Sequence, residues 1–285
     1  MGYRHIDVQP VAGALGAEIF GVDLGQPIDD ATFDEIHAAY LEHQVIFFRD
    51  QHMTPDQHKT FGRRFGELNI HPQYLPLDGH PEILPILKEP DAANNIGSVW
   101  HADVTFFPEP VMGSILYALD VPEVGGDTMF ASQYLAYESL SSGMQDMLGG
   151  MTATHSDDTL SDPDSARKRN ETRSTKLREG SNNGPNIAAE HPVVCTHPET
   201  GRKLLYVNRP FTQCFTGMTD AESQPLLKYL FEHAAKPEFT CRFRWEKNSV
   251  AFWDNRCVQH YALNDYPGQR RSMHRVTVNG GKPSQ

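Results

Sequence analysis

The chain has 285 residues, 39% of them hydrophobic and 22% charged, with a formal net charge of −12, so it can bury a sizeable core as one large domain or two small ones. The acidic balance argues against nucleic acid as a partner, because its phosphates would be repelled. No apolar run approaches the roughly 20 residues of a membrane-spanning helix, and the opening Met1–Asp7 lacks the apolar core of a secretory signal, so a cytoplasmic protein with no membrane partner is expected.

Taken in order, Ala14–Phe20 reads as a short strand leading into a Gly-containing turn. A helix follows from about Asp30, capped by Asp29 or Asp30, with Phe33, Ile36, Tyr40 and Leu41 at helical spacing. Val45–Phe48 fits a buried strand. Thr54-Pro55 opens a second helix that carries Phe61 and Phe65 and stops near Gly66. From about residue 82 to 135, short β-rich pieces alternate with turns. Residues 156–190 are polar, charged and poor in aromatics, and read as a lid or insertion. Leu204–Val207 is expected as a strand. Thr219 and Glu222 resemble a capping box for a helix with Leu226, Leu227, Leu230 and Phe231, although Pro225 comes late for a first turn. Strands are expected around Phe239–Trp245, Val250–Trp253 and Met273–Val278. Cys195, Cys214, Cys241 and Cys257 form no Cys-x-x-Cys pair and read as reduced thiols.

Many short strands with a few helices predict a mainly β fold with flanking helices, an α+β arrangement around a sandwich or jelly-roll core. The expectation is one catalytic domain over residues 1–285, with the insertion at about 156–190. A jelly roll brings distant strands to the mouth of one cavity, so widely separated residues can share a site.

Two islands stand out, Trp100-His101-Ala102-Asp103 and Trp253–His260. If the first lies on a strand, His101 and Asp103 emerge on the same face. With His260 they form two imidazoles and one carboxylate, the facial set that holds non-haem Fe(II) and leaves positions open. A 2-oxo acid can take two of those positions and O₂ the third. The far carboxylate of the 2-oxo acid then needs a guanidinium. Arg271 and Arg275 are candidates that share a strand face, with Arg270 and His274 pointing away, and the Thr128 hydroxyl is available beside them.

The motifs Trp100–Phe106, Gly125-Gly126-Asp127-Thr128, Trp253–Arg256 leading to Gln259–Ala262, and Arg270–Arg275 resemble the taurine dioxygenase family of Fe(II)/2-oxoglutarate oxygenases. The resemblance implies a double-stranded β-helix, or jelly-roll, core. It implies that His101, Asp103 and His260 are iron ligands and act in catalysis. Arg271 and Thr128 would anchor the far carboxylate of 2-oxoglutarate. Arg275, His71 and the Val104 backbone would meet the substrate's anion, with Tyr74 lining the same pocket. The implied cosubstrates are 2-oxoglutarate and O₂, and the implied partner is a small anionic organic molecule. A homodimer or homotetramer is the expected assembly.

The implied reaction couples decarboxylation of 2-oxoglutarate to succinate with hydroxylation of a C–H bond beside the acid group. A sulfonate such as taurine, releasing sulfite and an aldehyde, is the leading substrate. An alkyl sulfate ester or an aryloxyalkanoate is the alternative. Two departures weigh against taurine itself. Gly97 stands where taurine-specific members carry an asparagine, and Ser156–Pro163 has no aromatic residue. Trp100, Trp253 and Phe106 read as core around the site, Phe211 as core or pocket lining, and Asp254 and Asn255 as residues that fix a turn. A non-catalytic jelly roll holding a metal or ligand is the competing reading from another class. A hydrolase fits least, since no Gly-x-Ser-x-Gly elbow occurs.

Overall fold

The layering of the molecule can be read from Val45–Phe48, a run buried on both faces. Val45 and Phe47 enter one apolar cluster while Ile46 and Phe48 enter another, as the alternation of a strand requires. The computed structural model describes residues 2–158, 167, 171–178 and 186–285.

In chain order, the first half contains β1 (Asp7–Pro10), β2 (Ala17–Phe20), α1 (Asp30–His43), β3 (Val45–Phe48), α2 (Pro55–Arg63), β4 (Ile83–Lys88), β5 (Gly113–Asp120) and β6 (Thr128–Ser132). Next come α3 (Gln133–Glu138), α4 (Ser142–Leu148), β7 (Thr152–Ser156), β8 (Ala188–Pro192), β9 (Val194–Thr196), β10 (Lys203–Leu205) and β11 (Thr212–Phe215). The chain ends with α5 (Asp220–Ala234), β12 (Thr240–Phe243), β13 (Val250–Asp254), β14 (Val258–Ala262) and β15 (Arg271–Val278).

A seven-stranded sheet, ordered β1-β2-β3-β13-β5-β15-β4, forms one layer. Its inner face sets Phe47, Ala251 and Leu116 in register across β3, β13 and β5. Those side chains meet Phe130, Phe243 and Val258 of the three-stranded sheet β12-β6-β14. Phe47 and Phe243 stack with ring centroids 4.0 Å apart. Truncating either ring would leave a cavity costing about 3–5 kcal/mol. The outer face presents Ile46, Phe48, Val250 and Phe252 to Ile36, Ala39 and Tyr40 of α1 and to Phe61 of α2. A third cluster joins α3, α4 and α5 to β7, β9, β10 and β11. This is a jelly-roll core with helices outside.

The sequence expectation for α1 holds closely, whereas α2 ends at Arg63, so Phe65 lies in the turn after it rather than on the helix. Asp29 accepts a hydrogen bond from Thr32 N–H at the first cap, and Thr54 with Gln57 forms a full capping box at the second. Thr219 and Glu222 form the capping box of α5, and Pro225 lies inside that helix. Pro225 is tolerated because it sits on the exposed side, where the carbonyl it leaves unpaired can meet water. The expected strand Leu204–Val207 ends earlier, at Leu205, and the Val207 carbonyl instead accepts from Gln259 Nε2 at 2.8 Å. Phe239 belongs to a short 3₁₀ turn rather than to β12.

The polar stretch at 156–190 overlaps β7 and β8 at its edges, and β7 pairs antiparallel with β8. Within it, residues 159–166, 168–170 and 179–185 lie outside the described residues, as does most of the expected lid. Among the described residues no helix is long and apolar enough to cross a membrane. All four cysteines are free, and burial pushes the Cys195 and Cys241 thiols up to about 12.

Candidate active site

His101, Asp103 and His260 meet with their donor atoms within 4.8 Å of one another. His101 Nε2 lies 3.7 Å and His260 Nε2 4.0 Å from Asp103 Oδ1, and the two imidazole centroids are 4.1 Å apart. The route to this convergence differs from the expected one. His101 is not on a named strand but makes an isolated bridge to His260 on β14, each backbone N–H donating to the other's carbonyl at 3.1 and 2.8 Å. Asp103 lies in the turn that follows, where Val104 has a left-handed φ of 48°. Strand alternation therefore does not align His101 with Asp103.

Asn255 does part of that work. It sits in the turn between β13 and β14, accepts from Asp103 N–H at 2.7 Å, and donates through Nδ2 to the Asp103 and Val111 carbonyls. Both sequence islands are thus tied together by their backbones. Behind the turn, Thr105 Oγ1 lies 2.9 Å from His155 Nδ1 and accepts from Asn208 Nδ2 at 2.9 Å. His191 Nε2 is 2.9 Å from the Thr105 carbonyl. This buried polar network holds the turn from below.

The protonation states suit metal ligation. His101 Nδ1 lies 2.7 Å from the Val99 carbonyl and must donate there, so Nε2 keeps its lone pair facing Asp103 and His260. Burial lowers the pKa of both imidazoles. Burial works to raise that of Asp103, but Arg275, the two imidazoles and the Ser114 hydroxyl outweigh it, and the carboxyl stays well below its usual range. Two neutral imidazoles and one carboxylate could hold a divalent metal on one face.

Arg271 opens β15 and is buried, yet its Nε and Nη2 have no hydrogen-bond partner among the described residues. A buried cation with idle donors is costly unless an anion completes it. Thr128 Oγ1, at the start of β6, accepts from Trp245 Nε1 at 2.9 Å, which leaves the hydroxyl proton to be given away. The Arg271 guanidinium lies 5.7 Å from the centroid of the same Trp245 ring. These donors suit a carboxylate such as the far end of 2-oxoglutarate.

Arg275 lies on the same strand. Its Nη1 donates to both oxygens of Asp103 at 3.2 Å, so it is a neighbour of the triad as well as of the adjoining cleft. That cleft is lined by His71, Tyr74, Leu84, Arg178, Arg275 and Thr277, among others. His71 Nδ1 accepts from the backbone N–H groups of Gln73 and Tyr74 at 3.1 and 3.3 Å. Burial brings its pKa down to about 3, so the ring is neutral and Nε2–H is its free donor. Arg270, by contrast, is exposed and paired with Glu89 and Asp120, as expected for a side chain that points away.

Other residues are clarified by the structure. Phe211 packs edge-on against Phe106 at 5.1 Å and is core. Gly97 has φ +85°, and a Cβ there would stand 3.1 Å from His101 Cε1. Asn95 cannot replace the missing asparagine, because its Nδ2 donates to the Ala262 and Leu263 carbonyls and its Oδ1 accepts from Ser98. A second cluster, His197, Asp254 and Cys257, is buried but structural. His197 Nδ1 accepts from Glu199 and Thr200 N–H, so Nε2 carries the proton that it gives to Asp254 at 3.0 Å.

A jelly roll presenting two histidines and an aspartate at its mouth is the frame of a facial-triad oxygenase. The chain belongs to the family described as "Taurine catabolism dioxygenase TauD, TfdA family", whose model matches residues 7–277, and it is accordingly a dioxygenase, an oxidoreductase. It is 37% identical over 287 residues to an alpha-ketoglutarate-dependent sulfate ester dioxygenase of Pseudomonas putida, covering 98% of this chain and 91% of that protein. It is 35% identical over 278 residues to an alkylsulfatase of Acinetobacter baylyi, covering 97% and 86% respectively. Among solved structures, a taurine dioxygenase from Burkholderia xenovorans superposes with a TM-score of 0.82 at 38% identity, covering 98% of this chain and 93% of that one.

Proposed function

We propose that the chain binds Fe(II) through His101, Asp103 and His260 and, with 2-oxoglutarate and O₂, hydroxylates the carbon beside a sulfur oxyanion. One observation carries the reading. The three donor side chains converge beside Arg275, which also lines a cleft, and on the same strand Arg271 is a buried guanidinium with idle N–H groups. Two such guanidinium groups on one strand, one of them against the candidate metal position, suit two anions, a cosubstrate and a substrate.

When bound, the iron supplies the oxidising chemistry as 2-oxoglutarate is decarboxylated to succinate. The protein residues bind and orient. Arg271 and the Thr128 hydroxyl hold the far carboxylate of 2-oxoglutarate. Arg275, His71 Nε2–H and the Val104 backbone hold the substrate's anion, and Tyr74 closes the side of the cleft. Hydroxylation beside a sulfonate gives an α-hydroxysulfonate, whose C–S bond breaks to release sulfite and an aldehyde. Beside a sulfate ester the same insertion breaks a C–O bond and releases sulfate and an aldehyde.

Gly97 offers no side chain where taurine-specific members carry an asparagine, and the neighbouring Asn95 is engaged with the Ala262 and Leu263 carbonyls and with Ser98. This supports an alkyl sulfate ester or a simple alkanesulfonate over taurine. The test is succinate formation with Fe(II), 2-oxoglutarate and a panel of hexyl sulfate, hexane-1-sulfonate, taurine and phenoxyacetate. Hexyl sulfate or hexane-1-sulfonate should stimulate turnover most, and taurine less. Stimulation by neither unaminated sulfur compound rejects the reading.

A further inference from the structure

The cleft contains a cation that the motifs do not account for. Arg178 belongs to the described segment 171–178, which pairs with the loop carrying His71 and Tyr74. Arg178 N–H donates to the Gln73 carbonyl at 2.7 Å, Leu75 N–H donates to the Lys176 carbonyl at 3.1 Å, and Leu177 bridges Tyr74. Farther along, the Leu87 N–H donates to Thr175 Oγ1 and the Glu89 N–H to Ser174 Oγ, which fastens the segment along β4. The backbone of Arg178 is therefore fixed next to His71 and Tyr74.

Its side chain is only partly committed. Nε donates to the Tyr74 carbonyl at 2.8 Å, and among the described residues neither terminal nitrogen meets an acceptor. The guanidinium lines the same cleft as His71 and Arg275. Arg275 and Arg178 approach from different elements, β15 and the docked segment, with the His71 ring as a third donor.

We propose that Arg178 is a specificity-determining residue, the guanidinium that takes the third oxygen of a tetrahedral sulfur oxyanion. A carboxylate has two oxygens in one plane, which one guanidinium fork satisfies. A sulfonate or sulfate ester has three terminal oxygens pointing in three directions, and donors from one wall cannot reach them all. Arg275, His71 and Arg178 bring donors to one cleft from three separate segments of the chain. The inference rests on the proposed function and narrows it, because it makes the head group a sulfur oxyanion rather than a carboxylate.

The test compares probes of matched chain length, hexane-1-sulfonate and heptanoate, on the full-length enzyme. Dissociation constants are measured by anaerobic calorimetry and KM values by succinate formation, for the wild type, Arg178→Gln and Arg178→Lys. Arg178→Gln should weaken hexane-1-sulfonate by about tenfold or more, the size of one charge-assisted hydrogen bond, and heptanoate by about twofold or less. Its KM for 2-oxoglutarate and its melting temperature should not move, and Arg178→Lys should recover part of the loss. Equal weakening of both probes would mean that Arg178 only supports the Tyr74 loop, and no weakening would mean that it is a bystander; either overturns its role. A wild-type enzyme that hexane-1-sulfonate and hexyl sulfate both fail to stimulate overturns the function reading as well. Normal wild-type stimulation with an unchanged probe ratio in Arg178→Gln overturns only this inference.

Discussion

The triad and the neighbouring cleft are built in different ways. Around His101, Asp103 and His260, position is set by backbone pairing and by buried side chains with few alternatives: the reciprocal His101–His260 bonds, the three contacts of Asn255 and the Thr105 network. Around His71, Tyr74 and Arg178, position is set by two loop segments pinned to each other and to the edge strand β4. Edge and loop contacts are fewer and more exposed, so they change with less damage to the core. On the proposed function, the reacting end is held by a backbone bridge and buried side-chain contacts, and the recognising end is hung on loops.

The contrast can be broken most directly at Asp103. Asp103→Ala should abolish succinate formation and Fe(II) binding while the far-ultraviolet circular dichroism stays native; undiminished turnover would remove the triad from the mechanism. Next in size is Asn255→Ala, which unclamps the Asp103 backbone without touching a donor atom. Metal affinity or kcat should fall by about 10–100-fold, as for other residues that orient ligands. The melting temperature should also drop, since buried backbone groups lose partners at about 1–3 kcal/mol each. Unchanged metal affinity would show that the turn holds its shape without the clamp.

The smallest effect concerns pH. Burial brings His58, His71 and His155 down to about 3, far below the ordinary imidazole range. Each is neutral in the folded chain and takes a proton on unfolding once the pH is below about 6.5. Their unfolded forms are therefore favoured as the pH falls from about 6.5 towards 3, whereas above 6.5 they add no pH dependence. Stability should decline between pH 6.5 and 5.5 by up to about 1.4 kcal/mol per such histidine. His58→Gln, remote from the site, should flatten the decline seen in melting curves. Substrate KM should show no His71 transition over the same interval, because its Nε2–H donor persists; a clear transition that vanishes in His71→Gln would contradict a neutral ring.

The sequence carries the reacting end well and the recognising end poorly. His101, Asp103, His260, Arg271 and Arg275 could be found because each belongs to a dense motif in which residue type and spacing are both constrained. The local geometry that pairs His101 with Asp103 nevertheless differs from the expected strand. A bridge and a left-handed turn at Val104 do what a strand was expected to do, and no glycine or proline marks the φ of 48° there. Asn255 was recognisable as a turn residue, but its hold on Asp103 is a contact between distant parts of the chain. Arg178 gave no local signal, being one arginine in a polar stretch, and acquires meaning only through the Tyr74–Leu177 pairing. The short helices α3 and α4 escaped notice because six and seven residues give little periodicity, although their cap residues Ser132 and Ser141 were visible in the sequence.

The pairing of β7 with β8 has a wider consequence. Ser156 stands opposite Ala188, and between these two positions the described segment 171–178 is fastened to β4 and to the loop carrying His71 and Tyr74 rather than to β7 or β8. A change of side chain within 171–178 therefore alters the cleft without shifting the register of β7 on β8. What Arg178 offers to the cleft can thus be altered one side chain at a time, while the reciprocal backbone pairing of His101 with His260 is left as it is.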